Sequence, residues 1–282
     1  MKLAMLNDRI VPVESLDPIY FDRGIYFGDG VYEVLRSYHG RLFALDDHLA
    51  RFARSLAEVR ITSVDIDQVR SRVERAFATS GLTDAKIYFH VTRGSAPRNH
   101  VWNADLEPNF FLTVSEVPDD SRDKAEGITV STHPDWRWKR CDIKSLNLLA
   151  NVLARQDAAE KGCGEAILVD EAGLITEGAG SGFFAILGRN LHTAPLSANI
   201  LPSITRKFVI QAARNLGMEV VEQCLTPQQA AAADELFIVV TTKDIVPVVK
   251  FDDAVIGNGK PGPQTAALIA EFRKSTCSHL SA

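Results

Sequence analysis

The hydrophobic period of this chain switches repeatedly between the strand and helix patterns, never in strict strand–helix–strand alternation. The segment "VYEVLRSYHGRLF" (31–43) is rich in β-branched and aromatic residues and turns at His39-Gly40, which predicts a hairpin. Leu45, Leu49, Phe52, Ala53 and Leu56 then recur at helical spacing, which predicts an amphipathic helix over 45–58. A second helix is expected over 65–80, then strands over 85–94 and 109–117. The polar, charged stretch 119–127 follows Pro118 and ends on Gly127, as a linker does. It divides a small N-terminal α/β domain, 1–118, from a larger C-terminal domain, 128–282. Beyond it a strand is expected at 128–132, a helix at 146–161, and short strands near 165–169, 174–177, 182–187 and 190–193. A helix at 204–216, capped by Ser203, precedes strands at 218–224 and 235–240, with a last helix at 263–274. The fold class is therefore α+β, with mixed α/β character.

Bulk properties exclude several functions. With 46% hydrophobic and 24% charged residues, the 282-residue chain is ordinary for a globular enzyme. A net charge of −5 without a basic run argues against nucleic acid as a partner. No apolar run approaches the roughly 20 residues of a membrane helix, and the opening apolar stretch is too short for a signal peptide. Cys141, Cys163, Cys224 and Cys277 form no CxxC pair, which fits reduced thiols in the cytoplasm. The histidines have no metal-ligand spacing, so no metal is expected. There is no GxSxG elbow, and the GxGxG look of 178–182 is not a dinucleotide fingerprint.

Chemistry enters at "CDIKSLNLLA" (141–150), where Lys144 meets a largely apolar run. Either its flexible stem carries the charge to solvent or its amine is used, because an ammonium group loses hydration when buried. A lysine amine can form an imine with an aldehyde, and pyridoxal 5′-phosphate is the commonest one held that way. That cofactor needs donors for its phosphate, an acid for its ring nitrogen and, for amino acid substrates, a carboxylate clamp. Ser203, Ile204 and Thr205 open the helix at 204–216 and read equally as an ordinary cap or as an anion site. Thr241 and Thr242 end a strand, and Arg51 sits on the helix at 45–58. Glu177 precedes the glycine-rich turn of "LITEGAGSGFF" (174–184), which suits either a plain turn or close approach of backbone to a ligand. Arg98 and His100 would point the same way on extended backbone, as a clamp or as a solvated loop. Tyr32 alternates along the first hairpin.

Together and in this order the motifs resemble the fold-type IV family of pyridoxal-phosphate enzymes, most of all its bacterial D-amino acid aminotransferases. The likeness runs through "DRGIYFGDGVYEV" (22–34), "DHLARF" (47–52), "VTRGSAPRNH" (91–100), "RCDIKSLNLLANVLARQDAAEKGCGEAIL" (140–168), "TEG" (176–178), "ITR" (204–206) and "TTKDIVPV" (241–248). It implies a two-domain fold and transfer of an amino group from a D-amino acid to a 2-oxo acid such as 2-oxoglutarate or pyruvate. Lys144 matches the Schiff-base lysine, and Glu177 matches the carboxylate that pairs with the pyridine nitrogen. Arg51, Ile204, Thr205 and Thr241 match the phosphate cup, and Leu201 matches the leucine packed on the ring. Tyr32, Arg98 and His100 match the residues that hold the substrate α-carboxylate, the last two from a neighbouring subunit, which implies a homodimer. The turn Ala179-Gly180-Ser181-Gly182 departs from the serines and asparagine usual there. The alternatives are a branched-chain L-amino acid aminotransferase, an (R)-amine transaminase, an aminodeoxychorismate lyase or a non-catalytic scaffold.

Overall fold

The alternation predicted for 31–43 is realised as the long strand Gly30–Tyr38 and the short return Arg41–Leu42. A computed structural model describes residues 2–197 and 199–278. The side chain of Cys277, and His279, lie outside the described residues. Among those residues the backbone forms a two-stranded ribbon at Leu3–Leu6 and Arg9–Pro12, a four-stranded sheet and a nine-stranded sheet.

The four-stranded sheet runs Arg41–Leu42, Gly30–Tyr38, Ala85–Thr92, Asn109–Glu116, antiparallel throughout. Side chains alternate across a strand. Val31, Leu35, Ile87, Phe89 and Val91 therefore point one way and are buried. The helices Leu45–Glu58 and Ile66–Ser80 cover that face with Leu49, Phe52, Leu56, Val69 and Val73. The opposite face, carrying Tyr32, Val34, Lys86 and Tyr88, is only half-buried.

The larger sheet is mixed. Its order is Glu219–Glu222, Asn190–Thr193, Gly182–Leu187, Glu235–Val240, Asp244–Phe251, Ile128–Pro134, Glu165–Val169, Ile175–Gly178, with Ala254–Val255 beside Asp244–Phe251. The helices Ile204–Asn215 and Pro263–Ser278, the second bringing Phe272, close one face over Phe184 and Phe237, whose rings stack with centroids 5.1 Å apart. Ile167, Ile238, Val246 and Val248 pack in a second core.

Three expectations change. The helix expected from 146 begins at Leu149, because residues 144–146 are hydrogen-bonded into the edge of Gly30–Tyr38 instead. The strand that ends at Val240 reverses through 241–243 into a second strand, Asp244–Phe251, which contains Pro247. A short helix, Arg23–Phe27, stands in a segment where Gly24 hides the helical signal; Asp22 caps it by accepting the Gly24 N–H at 2.6 Å. The stretch 119–127 holds a helical segment, Ser121–Glu126, tied to the large sheet by Lys124–Asp244 at 3.3 Å and Lys243–Asp123 at 2.6 Å. No helix among the described residues is long and apolar enough to cross a membrane.

Candidate active site

Lys144 is placed by its backbone. The Tyr32 N–H donates to the Lys144 carbonyl at 2.9 Å, and the Leu146 N–H donates to the Gly30 carbonyl at 3.0 Å. Val31 and Ser145 form an isolated β-bridge, and the Lys144 N–H donates to Ser55 Oγ at 3.2 Å. Two backbone hydrogen bonds to one strand and one to Ser55 thus fix the segment, and the half-buried side chain turns into a cavity of about 270 Å³. Its Nζ lies 4.3 Å from the centre of the Tyr32 ring. Among the described residues it has no carboxylate partner, and its side chain is half-buried, so the amine is available for chemistry.

Glu177 enters the same cavity from the strand Ile175–Gly178. Its Oε1 accepts from Arg137 Nη1 at 2.5 Å and from the Leu201 N–H at 3.3 Å. Arg137 also grips Asp135 through Nε and Nη2, both at 2.8 Å, and reaches the Asn199 carbonyl at 3.2 Å. Burial pushes the Glu177 carboxyl above its usual range, and the Arg137 cation opposes that shift. In the turn that follows, the Ser181 hydroxyl donates to Glu165 at 2.9 Å and the Asn151 amide to the Ala179 carbonyl at 2.7 Å. The departure at 179–182 therefore leaves Glu177 held from the Arg137 side rather than by the turn.

A third wall is cationic. Arg51 is buried and presents Nε and Nη2 to the two oxygens of Glu33 at 2.7 and 2.8 Å, while Nη1 donates to the Pro202 carbonyl at 3.0 Å. His48 Nδ1 lies 2.8 Å from the same carboxylate. Glu33 is completely buried; burial alone would raise its carboxyl, yet the Arg51 guanidinium holds it well below the usual carboxylate range. Arg51 is thereby pinned beside the start of the helix Ile204–Asn215. Ser203 caps that helix by accepting the Arg206 N–H at 3.2 Å, which leaves the dipole end and the first-turn N–H groups of Ile204 and Thr205 directed towards this wall. Ser203, Leu201, Thr241 and Thr242 line the cavity, while Ile204 and Thr205 are buried in the turn behind.

Eight of the ten residues singled out in the sequence, Tyr32, Arg51, Lys144, Glu177, Leu201, Ile204, Thr205 and Thr241, thus gather in or immediately behind one cavity. Arg98 and His100 do not. They sit exposed on a separate loop against Phe27, whose ring is 5.2 Å from the Arg98 guanidinium carbon and 5.4 Å from the His100 ring. That loop is held from below: the buried Arg23 donates to the carbonyls of Asn99 and His100, at 2.5 and 3.1 Å, and Asp29 holds Arg23 at 2.8 Å.

Arg137, Glu33 and Lys86 were not singled out in the sequence. Glu33 carried a signal, since it shares a face with Val31 and Leu35, and a charge on an apolar strand face implies a buried partner. Arg137 lies between two tryptophans in "WRWKR" and carried none. Among the described residues no group of acids, histidines and cysteines is placed to hold a metal.

Residues 30–251 match the family described as amino-transferase class IV. The chain is 39% identical over 276 residues to a D-alanine aminotransferase of Bacillus licheniformis, covering 98% of this chain and 97% of that one. It is 38% identical over 273 residues to a D-alanine aminotransferase of Listeria monocytogenes, covering 95% and 94%. Among solved structures it is similar to the branched-chain amino acid aminotransferase of Escherichia coli, with a TM-score of 0.85, 26% identity, and coverage of 95% and 92%.

Proposed function

The chain belongs to the amino-transferase class IV family, and from that premise we propose that it transfers the amino group of a D-amino acid to a 2-oxo acid such as 2-oxoglutarate or pyruvate, using pyridoxal 5′-phosphate. The observation that carries this is the convergence on one cavity of an uncompensated lysine, Lys144, and a buried acid, Glu177, with the Arg51 wall beside them. The donor set suits the cofactor. Arg51, the N–H groups of Ile204 and Thr205, and the Thr241 hydroxyl would hold its phosphate, and Leu201 would pack against its ring.

When bound, the cofactor supplies an aldehyde for the Lys144 amine and a ring that accepts electron density from the substrate Cα. Lys144 Nζ would take the Cα proton of the bound amino acid as a general base. Glu177 would hold a proton at the ring nitrogen, and Arg137 keeps Glu177 oriented. Tyr32 donates to the substrate α-carboxylate. The remaining donors would be the partner subunit's Arg98 and the partner subunit's His100, since this chain's own pair lies outside its own cavity. A homodimer is part of the proposal. The exposed apolar side chains Leu149, Val152 and Leu153 on one helix, with Trp136 and Trp138 near the cavity mouth, support it. The proposal also keeps the division into 1–118, which carries the ribbon and the four-stranded sheet, and 128–282, which carries the nine-stranded sheet. Cys141, Cys163 and Cys224 are unpaired, which supports a reducing, cytoplasmic setting.

The purified protein should absorb near the visible edge, and D-alanine should bleach that band. Borohydride treatment followed by peptide mapping should place the label on Lys144. A label elsewhere, or none, would overturn the reading. Branched-chain L-amino acids are the second reading, supported by the likeness to the Escherichia coli fold. Turnover of L-leucine with D-alanine inert would establish it instead.

A further inference from the structure

The half-buried face of the small sheet forms part of the cavity wall. In the register of Gly30–Tyr38 against Ala85–Thr92, Tyr32 opposes His90, Val34 opposes Tyr88 and Arg36 opposes Lys86. Tyr32, Val34 and Lys86 all line the cavity, facing Thr241 and Thr242 on the larger sheet.

The charges of this cavity are then accounted for one by one. Its charged lining residues are Arg51, Lys86, Arg137, Lys144 and Glu177. Arg51 is matched by Glu33, and Arg137 by Glu177 and Asp135. Lys144 is assigned to the cofactor. Arg36, across the register from Lys86, is committed to the Thr242 carbonyl at 2.8 Å and the Asp244 carboxylate at 3.3 Å. Asp244 in turn also serves Tyr38 and Lys124, so it is not left over for Lys86. The Lys86 ammonium makes no hydrogen bond and no ion pair among the described residues, although the side chain is half-buried in a cavity wall. A partly desolvated ammonium with three unused donors is a site for an anion.

On the aminotransferase reading above, the substrate's α-carboxylate already has its donors in Tyr32 and the clamp pair. A second anion must then come from the substrate side chain. We infer that Lys86 binds the distal carboxylate of the dicarboxylic partners of this reaction, the 2-oxoglutarate acceptor and the acidic D-amino acid formed from it. Lys86 is a specificity-determining residue; it takes no part in the proton transfer at Cα. Val34, its neighbour on the same face, would pack against the methylenes between the two carboxylates.

The test compares the holoenzyme with its Lys86→Met and Lys86→Arg variants in single half-reactions, read by bleaching of the cofactor band. D-glutamate and D-alanine are the paired substrates. In Lys86→Met the ratio of kcat/KM for D-glutamate to that for D-alanine should fall about tenfold, mainly through KM for D-glutamate. Lys86→Arg keeps the charge and should hold the ratio within about threefold of wild type. Glutarate binding by calorimetry should weaken in Lys86→Met by about the same tenfold factor. A ratio in Lys86→Met within about twofold of wild type, or an equal loss for both substrates, would overturn the inference while leaving the aminotransferase reading intact. If wild-type protein converts neither D-amino acid, the reading of the function fails first and the inference falls with it.

Discussion

Arg137 Nη1 stands 2.5 Å from Glu177 Oε1, with only 7% and 9% of the two side chains exposed. An ion pair so enclosed gains from mutual attraction but leaves a costly residue when one partner goes. Arg137→Met should therefore destabilise the fold by about 3–5 kcal/mol and weaken retention of the cofactor. Thermal melting and the rate of cofactor loss on dialysis check this. Arg137→Lys should recover only part of the loss, because an ammonium group cannot bridge Asp135, Glu177 and the Asn199 carbonyl together.

Acid should weaken the protein in two stages. Burial holds the His48 imidazole below its ordinary value of 6.5, so the unfolded chain binds this proton more readily than the folded one. Its contribution is complete above the unfolded value and is lost as pH falls below it. Glu33 is depressed in the same sense, and its contribution is lost further down, as pH falls through the carboxylate range below 4.5. Denaturant midpoints measured between pH 7 and pH 3 should decline in both windows. His48→Gln should flatten the first window and leave the second.

If the clamp crosses between subunits, two inactive variants should repair each other. Lys144→Ala and Arg98→Ala proteins, unfolded and refolded together, would form mixed dimers with one intact site each. Activity should return to about a quarter of the wild-type level at equal mixing of a symmetric dimer. No recovery, with mixed dimers demonstrated by tagged pull-down, would place the α-carboxylate donors within one chain.

Gly94 begins the loop that carries the clamp and has φ +115, with the Glu107 carbonyl oxygen 2.2 Å from where a Cβ would stand. Its own carbonyl accepts from the Arg23 N–H at 3.0 Å. Gly94→Ala should cost about 1–3 kcal/mol from backbone strain and raise KM for the amino acid by moving the 95–100 loop. Calorimetric melting together with steady-state kinetics would show both effects.

Legibility of this chain tracks how local the cause is. The helix Leu45–Glu58 occupies the predicted span because its apolar stripe lies in its own sequence. The helix Ile204–Asn215 likewise begins where Ser203 caps it. Residues 146–148 could have continued a helix, but the distant strand Gly30–Tyr38 claims the Lys144 carbonyl and the Leu146 N–H at their start. Asp244–Phe251 was hidden by Pro247, which argues against an interior strand unless its neighbours are known. At the site, residues matching the motif order of the family were legible, and Arg137 was not. Its role exists only because Asp135, Glu177 and Asn199, up to 62 positions away, fold around it.

The cavity walls come from both sheets, and the backbone flanking Lys144 is stitched to the small one while Glu177 rides on the large one. Any molecule gripped by both residues joins those sheets, and its binding free energy adds to their cohesion by mass action. The supply of vitamin B6 in the cell should then govern how long each copy survives proteolysis, as well as how fast it turns over.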